Sequence, residues 1–186
     1  MTRFGLAALS APLLLAAPAW AADWTLDRAH SRLGFSATQV GSPFSGRFDR
    51  FQASITFDPA APGSAHVVVL VDLASARSGD VQRDTALLQA DWFDTQKAAQ
   101  ARFEATGFVP KGGNAFQAPG TLTLRGISRA LTLAFTLDVS GSAAHAVGHA
   151  EMTRTDWGVG QGQWSSGDMV GLPVTVTFDI TATRMP

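Results

Sequence analysis

No cysteine occurs among the 186 residues. Disulfides, cysteine nucleophiles and thiolate metal centres are excluded by that alone, so packing and hydrogen bonding must hold the fold together. Tyrosine is also missing, and Lys97 and Lys111 are the two lysines of the chain. The arginines are scattered and form no basic patch, so nucleic acid is not an expected partner. No polybasic or amphipathic stretch argues for docking on anionic lipid. A Gly-x-Ser-x-Gly elbow, which would present a nucleophilic serine, does not occur. Gly158-Val159-Gly160-Gln161-Gly162 has the look of a phosphate cradle. Such a cradle must open a helix so that backbone N–H groups face the phosphates, and no helical pattern follows it. It reads as a glycine-rich loop between strands.

One long apolar run is present, and it lies at the N-terminus. Arg3 precedes it, Leu6 to Ala17 form it, and Ala19-Trp20-Ala21 follows as a small-x-small site. This is the three-part pattern of a cleavable secretory signal peptide over residues 1–21. The run is shorter than the ~20 apolar residues needed to span a bilayer. The expected mature chain is a single soluble domain of residues 22–186, exported to the periplasm. Without Arg3 it carries 13 basic and 15 acidic side chains.

Period-two alternation dominates that domain. Leu33, Phe35 and Ala37 alternate with polar neighbours, as do Ala53, Ile55 and Phe57. His66 to Asp72, Phe103 to Val109, Thr121 to Leu124, Leu131 to Leu137 and Val174 to Ile180 read as further strands. Turn residues separate them at Gly41-Ser42-Pro43, Asp58-Pro59, Gly112-Gly113-Asn114 and Gly141-Ser142. Some nine or ten strands with regular turn spacing predict an all-β antiparallel barrel or sandwich. One helix is expected from Asp80 to Ala90, with Asp80 at its start and Val81, Thr85 and Leu88 on one face. A short second turn is expected at Thr95 to Ala99.

Chemistry-bearing clusters are few. His149 and Glu151 fall on one face of a strand, but His145 lies about 13 Å further along it, too far to share one ion. Exposed histidines on a solvent-facing or edge strand are the plainer reading. Arg83-Asp84 and Arg154-x-Asp156 suit acid–base work or structural ion pairs, the latter being the commoner use. Asp27-x-x-His30-Ser31 suits a turn whose side chains satisfy the backbone, with His30 alternatively turned toward a ligand. The aromatics are the more telling set, with eleven phenylalanines and four tryptophans after residue 21. They build either a filled core or the wall of a hollow barrel, since barrels of eight strands do both.

Five motifs in order resemble the YceI-like family of exported lipid-binding proteins. They are Trp24-Thr25-Leu26-Asp27-x-x-His30-Ser31-x-Leu33-x-Phe35; Gly46-x-Phe48-x-x-Phe51-x-x-Ile55-x-Phe57-Asp58; Arg83-Asp84-x-x-Leu87-x-x-x-Asp91-Trp92-Phe93-Asp94; Gly120-x-Leu122-x-Leu124-Arg125-Gly126-Ile127-Ser128; and Arg154-x-Asp156-Trp157-Gly158 with Gly167-Asp168-x-Val170. The chain departs from the family at Ala86 and at Gln39, where the family often has histidine. It departs again before Phe103, where Lys97-Ala98-Ala99-Gln100 replaces an aromatic-proline pair.

The resemblance implies an extended, lipocalin-like antiparallel barrel with one or two short helices and no enzymatic activity. Its ligand would be a long apolar molecule of the polyisoprenoid or isoprenoid-quinone-precursor type, with no cofactor besides that lipid and no metal. The candidate lining residues are Phe35, Phe48, Phe51, Ile55, Leu88, Trp92, Phe93, Leu122, Leu133, Phe135 and Trp157. The candidates for the polar end are His30, Arg83, Asp84 and Asp156. A membrane, a membrane redox protein or a second copy of the chain remain further partners to consider. The competing readings are an interaction module with a side-chain-filled barrel, and a metal-assisted or Ser/His hydrolase.

Overall fold

The computed structural model describes residues 22–185, so the expected signal segment lies outside the described residues. Twelve strands run in chain order: β1 Ala22–Leu26, β2 Arg32–Gln39, β3 Ser42–Phe48, β4 Phe51–Phe57, β5 His66–Asp72, β6 Ala76–Arg77, β7 Gln100–Thr106, β8 Val109–Gly112, β9 Ala115–Leu124, β10 Ile127–Ser140, β11 Ala143–Thr153 and β12 Pro173–Arg184. Among the described residues the single α-helix, α1, spans Val81–Leu87.

Eight strands close an antiparallel barrel in the order β1-β4-β5-β7-β9-β10-β11-β12, with β12 returning to β1. The last strand serves two partners along its length. Thr175–Asp179 pair with β2, and Ala182–Arg184 pair with β1. β1 and β2 thus form one ascending line, broken at the Asp27–Ser31 turn. Buried Ser31 bridges the break by accepting the Thr181 N–H at 3.0 Å. β2, β3 and β6 carry the wall beyond the closed ring and lengthen the barrel on one side. α1 and residues 88–99 follow β6 and cover that end.

The alternation read from the sequence is the inside/outside alternation of the barrel. Two strands were joined in that reading. Phe103 to Val109 is not one strand, because Gly107 turns at φ 83° and donates its N–H to Ala65 O at 2.6 Å. β7 ends there and β8 begins as an appendage on β9. Nor is β11 an edge strand. It lies between β10 and β12, and its histidines face outward.

The helix is shorter than expected, and its inward face differs. Asp80 caps it, accepting the Arg83 N–H at 2.9 Å. Val81 is 82% exposed while Leu87 is 8% exposed. The face turned to the barrel runs through Arg83, Asp84 and Leu87, at helical spacing from Asp80. Two of its members are polar, which is why apolar periodicity selected the opposite face. Thr95 to Ala99 contains a hydrogen-bonded turn, with Lys97 and Ala98 N–H groups on Asp94 O.

The core has two clusters. One gathers Phe35, Leu73, Leu87, Trp92, Phe93 and Val170 under α1; the other gathers Trp24, Phe57, Phe103, Phe108 and Phe135 at the far end. Leu122 and Leu131 pack against both.

Candidate functional site

A cavity of about 280 Å³ runs through the barrel past both clusters. Its wall is built from inward positions of the strands: Leu33, Phe35 and Ala37 on β2, Phe51 to Phe57 on alternate residues of β4, and Val174 to Ala182 on alternate residues of β12. Leu87 of α1, Phe44 of β3 and Val170 frame the end beneath the helix. Apolar walls of this kind leave little for water to bond and suit a hydrocarbon occupant.

Phe35, Phe48, Phe51, Ile55, Trp92, Phe93, Leu122, Leu133 and Phe135 all lie on this wall. Leu88 and Trp157 do not, and both placements are corrections. Leu87 takes the inward position of the helix in place of Leu88. Trp157 is buried, but its indole N–H donates to Leu122 O at 2.9 Å, which fixes the ring against the end of β9 rather than in the lumen.

The four expected polar-end residues are not brought together. His30 sits on the outer wall, where its imidazole pairs with Asp27 at 2.8 Å. The Asp27 carboxylate also accepts the Ala29 N–H, which makes the segment a turn. Bonding to His30 holds that carboxyl below its ordinary pKa, against a smaller opposing effect of burial. Asp156 is exposed on the outside. Asp84 accepts both the N–H and the hydroxyl of Ser78 at 2.7 Å, securing the turn before α1. Its burial opposes ionisation, yet the Ser78 bonds and the charges of Arg77 and Arg83 outweigh this and hold its pKa low. Arg83 lies at the α1 end of the cavity, against the Phe44 that lines it. Its Nε donates to Gln39 Oε1 at 3.1 Å and its guanidinium lies 4.0 Å from the Phe44 ring centroid.

The residue missed was Arg154. It is 3% exposed, and among the described residues it is the one charged side chain on the cavity wall. Neither Arg83–Asp84 nor Arg154–Asp156 closes as an ion pair among the described residues. Arg154 instead donates to backbone carbonyls: Gly171 at 2.9 Å, Val159 at 2.7 Å, Gly160 at 3.2 Å, Val170 at 2.7 Å, and Trp164. Burial lowers its pKa. The guanidinium thus ties the glycine-rich segment 158–171 over the barrel end, and Gly160 is required there because a Cβ would fall 1.9 Å from Arg154 Nη1. The sequence signal was an arginine just ahead of a glycine-rich loop whose carbonyls need donors.

A family model described as the YceI-like domain matches residues 24–182. A UPF0312 protein of Shewanella baltica is 34% identical over 175 residues, covering 92% of this chain and 81% of the relative. The crystal structure of Burkholderia cenocepacia BcnA superposes with a TM-score of 0.81 at 30% identity, covering 85% of this chain and 99% of that one. A polyisoprenoid binding domain from Saccharophagus degradans shares the fold with a TM-score of 0.68 at 17% identity, over 87% of this chain and 98% of its own.

Proposed function

This chain belongs to the YceI-like domain family, and from that premise we propose that it binds a long apolar isoprenoid-type lipid in the barrel tunnel and carries or stores it in the periplasm. The observation that carries this reading is the cavity wall, which is apolar throughout except at Arg154, whose donors are taken up by carbonyls. Each methylene moved from water to such a wall contributes about 0.8 kcal/mol. A prenyl chain therefore gains affinity from length without directional contacts. The polyisoprenoid binding domain that shares this fold supports the ligand class. The N-terminal pattern of residues 1–21 supports export.

The role is binding rather than catalysis. His145 is paired to Asp179 on the outer wall at 2.7 Å and His66 to Glu104 at 2.9 Å, both away from the tunnel. Entry is expected at the α1 end. Val81 on the helix, Val40 at the β2–β3 turn and Met169 beside Val170 are exposed there, on the three elements that frame the cavity. An apolar rim around an apolar tunnel suits transient contact with a lipid surface.

Organic extraction of protein purified from its native host, followed by mass spectrometry, tests the reading. One isoprenoid lipid per chain is the expected result. Extracts without lipid, from protein whose crystal structure shows a side-chain-filled interior, would overturn it in favour of an interaction module.

A further inference from the structure

A barrel of eight strands has an interior about wide enough for its own side chains to fill. This barrel turns phenylalanines inward from β2, β3, β4, β7, β10 and β12, and a cavity still runs past them. Short inward residues such as Ala53, Ala118, Ala146 and Ala182 free part of that space. Three glycines decide where rings can go: Gly46 on β3, Gly120 on β9 and Gly148 on β11.

At each glycine a ring from the neighbouring strand takes the place of the absent Cβ. A Cβ on Gly46 would run into Phe35 Cζ. One on Gly120 would lie 2.6 Å from Phe103 Cζ, and one on Gly148 2.6 Å from Phe178 Cζ. Phe35 and Phe178 are the direct cross-strand partners of their glycines. Phe103 is opposite Leu122 and reaches Gly120 on the diagonal. Strand side chains ordinarily stand roughly perpendicular to their sheet. These three are laid sideways instead, each with the far end of its ring over a neighbouring Cα. A ring lying so takes about 3.5–4 Å from the lumen, the depth of one carbon–carbon contact. A ring standing up takes its whole length. All three rings line the cavity, Phe35 in the cluster under α1, Phe103 and Phe178 with the far one.

We propose that Gly46, Gly120 and Gly148 keep the barrel hollow and set the bore of the tunnel, so that it admits a methyl-branched chain. The inference rests on the lipid-binding reading and adds a determinant of ligand width. A prenyl chain carries a methyl branch on every fourth carbon and needs more room than a straight alkyl chain. A Cβ at any of the three seats drives the ring to another staggered rotamer, which at an inward position points it into the lumen. The glycines also lie close to backbone: Arg77 O would be 2.7 Å from a Cβ on Gly46, Glu104 O 2.5 Å from one on Gly120, and Ala134 O in contact with one on Gly148. Seating the ring and admitting the backbone are separate demands, and removing the ring tells them apart.

The test uses Gly46→Ala, because the carbonyl it meets belongs to the two-residue β6 at the end of the sheet order, the strand most able to yield. Delipidated protein is titrated with geranylgeraniol and with hexadecanol, which has the same main-chain length and no methyl branches. Gly46→Ala is expected to weaken geranylgeraniol about tenfold and hexadecanol about threefold or less, as for atoms forced into occupied space. The double variant Gly46→Ala/Phe35→Leu, which removes the ring, is expected to restore geranylgeraniol binding. Unchanged binding in Gly46→Ala, an equal loss of both alcohols, or a double variant no better than the single one overturns the proposal. If Gly46→Ala does not fold, recovery of folding in the double variant supports the ring seat. Failure of both to fold assigns the glycine to the backbone alone and overturns it. Failure of the unaltered protein to bind either alcohol counts against the lipid-binding reading instead. The seat is then decided by the crystal structure of Gly46→Ala. The Phe35 ring must turn into the lumen, and a ring still lying along the wall overturns the proposal.

Discussion

Arg154 places its guanidinium 5.3 Å from the ring centroid of Trp92 while its N–H groups reach the carbonyls of segment 158–171. Strand β11 ends next to this arginine, Trp92 follows α1, and the carbonyls belong to the loop before β12. One side chain therefore joins three separate stretches of chain over the end of the tunnel.

Arg154→Ala leaves several buried carbonyls without donors, at a penalty of about 1–3 kcal/mol for each that water cannot reach. The expected outcome is a loss of about 3 kcal/mol or more in urea unfolding, with faster hydrogen exchange at residues 158–171. Arg154→Lys should recover little. An ammonium presents a compact group of donors, whereas the planar guanidinium reaches carbonyls on several sides. Full rescue by lysine would show that charge, not the fork of donors, is what matters.

The two adjacent leucines of the helix end separate inward from outward. Leu87 is buried on the cavity wall and Leu88 is half-buried beside it. Leu87→Ala is expected to lower stability by about 2–4 kcal/mol, as for buried leucines generally. Leu88→Ala should lower it by roughly half of that or less. Equal losses in equilibrium unfolding would contradict the assigned helix face.

The barrel was legible in the sequence because period two is directly the inside/outside code of a strand. Leu33, Phe35 and Ala37 and the alternating residues of β12 show it without tertiary knowledge. Which strand side chains point inward was legible for the same reason, but not that they line a tunnel, because the same alternation suits a filled barrel equally. What escaped the sequence depends on partners far along the chain. Arg154 reads as half of a pair with Asp156 until the carbonyls of Gly160 and Val170 are brought round it. The helix face was misread because Arg83 and Asp84 find polar partners, Gln39 and Ser78, that make a polar inward face tolerable. β6, two residues long, carries too little pattern to be seen.

On the outer wall, Glu104 is held at a pKa of about 2 by its bond to Arg102 first and to His66 second. The folded value lies below the ordinary 4.5, so ionised Glu104 stabilises the fold above that ordinary value. This contribution is lost as pH falls from about 4.5 toward 2. A carbon-detected NMR titration should show Glu104 titrating last among the carboxyls of this surface. In Arg102→Met it should move up toward its ordinary range. A Glu104 that titrates near 4.5 in the unaltered protein would show that solvent screens the pair.

Loading from a membrane makes a kinetic prediction distinct from binding itself. The rim residues Val40, Val81 and Met169 are 69%, 82% and 50% exposed, and each sits outside the cavity on an element that frames it. Asp80 and Asp168 adjoin two of them, so neutral bilayers should be preferred over anionic ones. If the rim touches the bilayer, transfer of a fluorescent prenyl lipid from phosphatidylcholine vesicles should quicken with vesicle concentration. Adding phosphatidylglycerol should slow it. Replacing all three rim residues by serine removes exposed apolar surface and no cavity wall. Stability and final lipid content should stay as they were, while the transfer rate falls about tenfold, as expected when about 1.4 kcal/mol of contact is lost from the encounter. A rate independent of vesicle concentration, equal in the serine variant, would mean that the lipid crosses through water and that the rim has no part in loading.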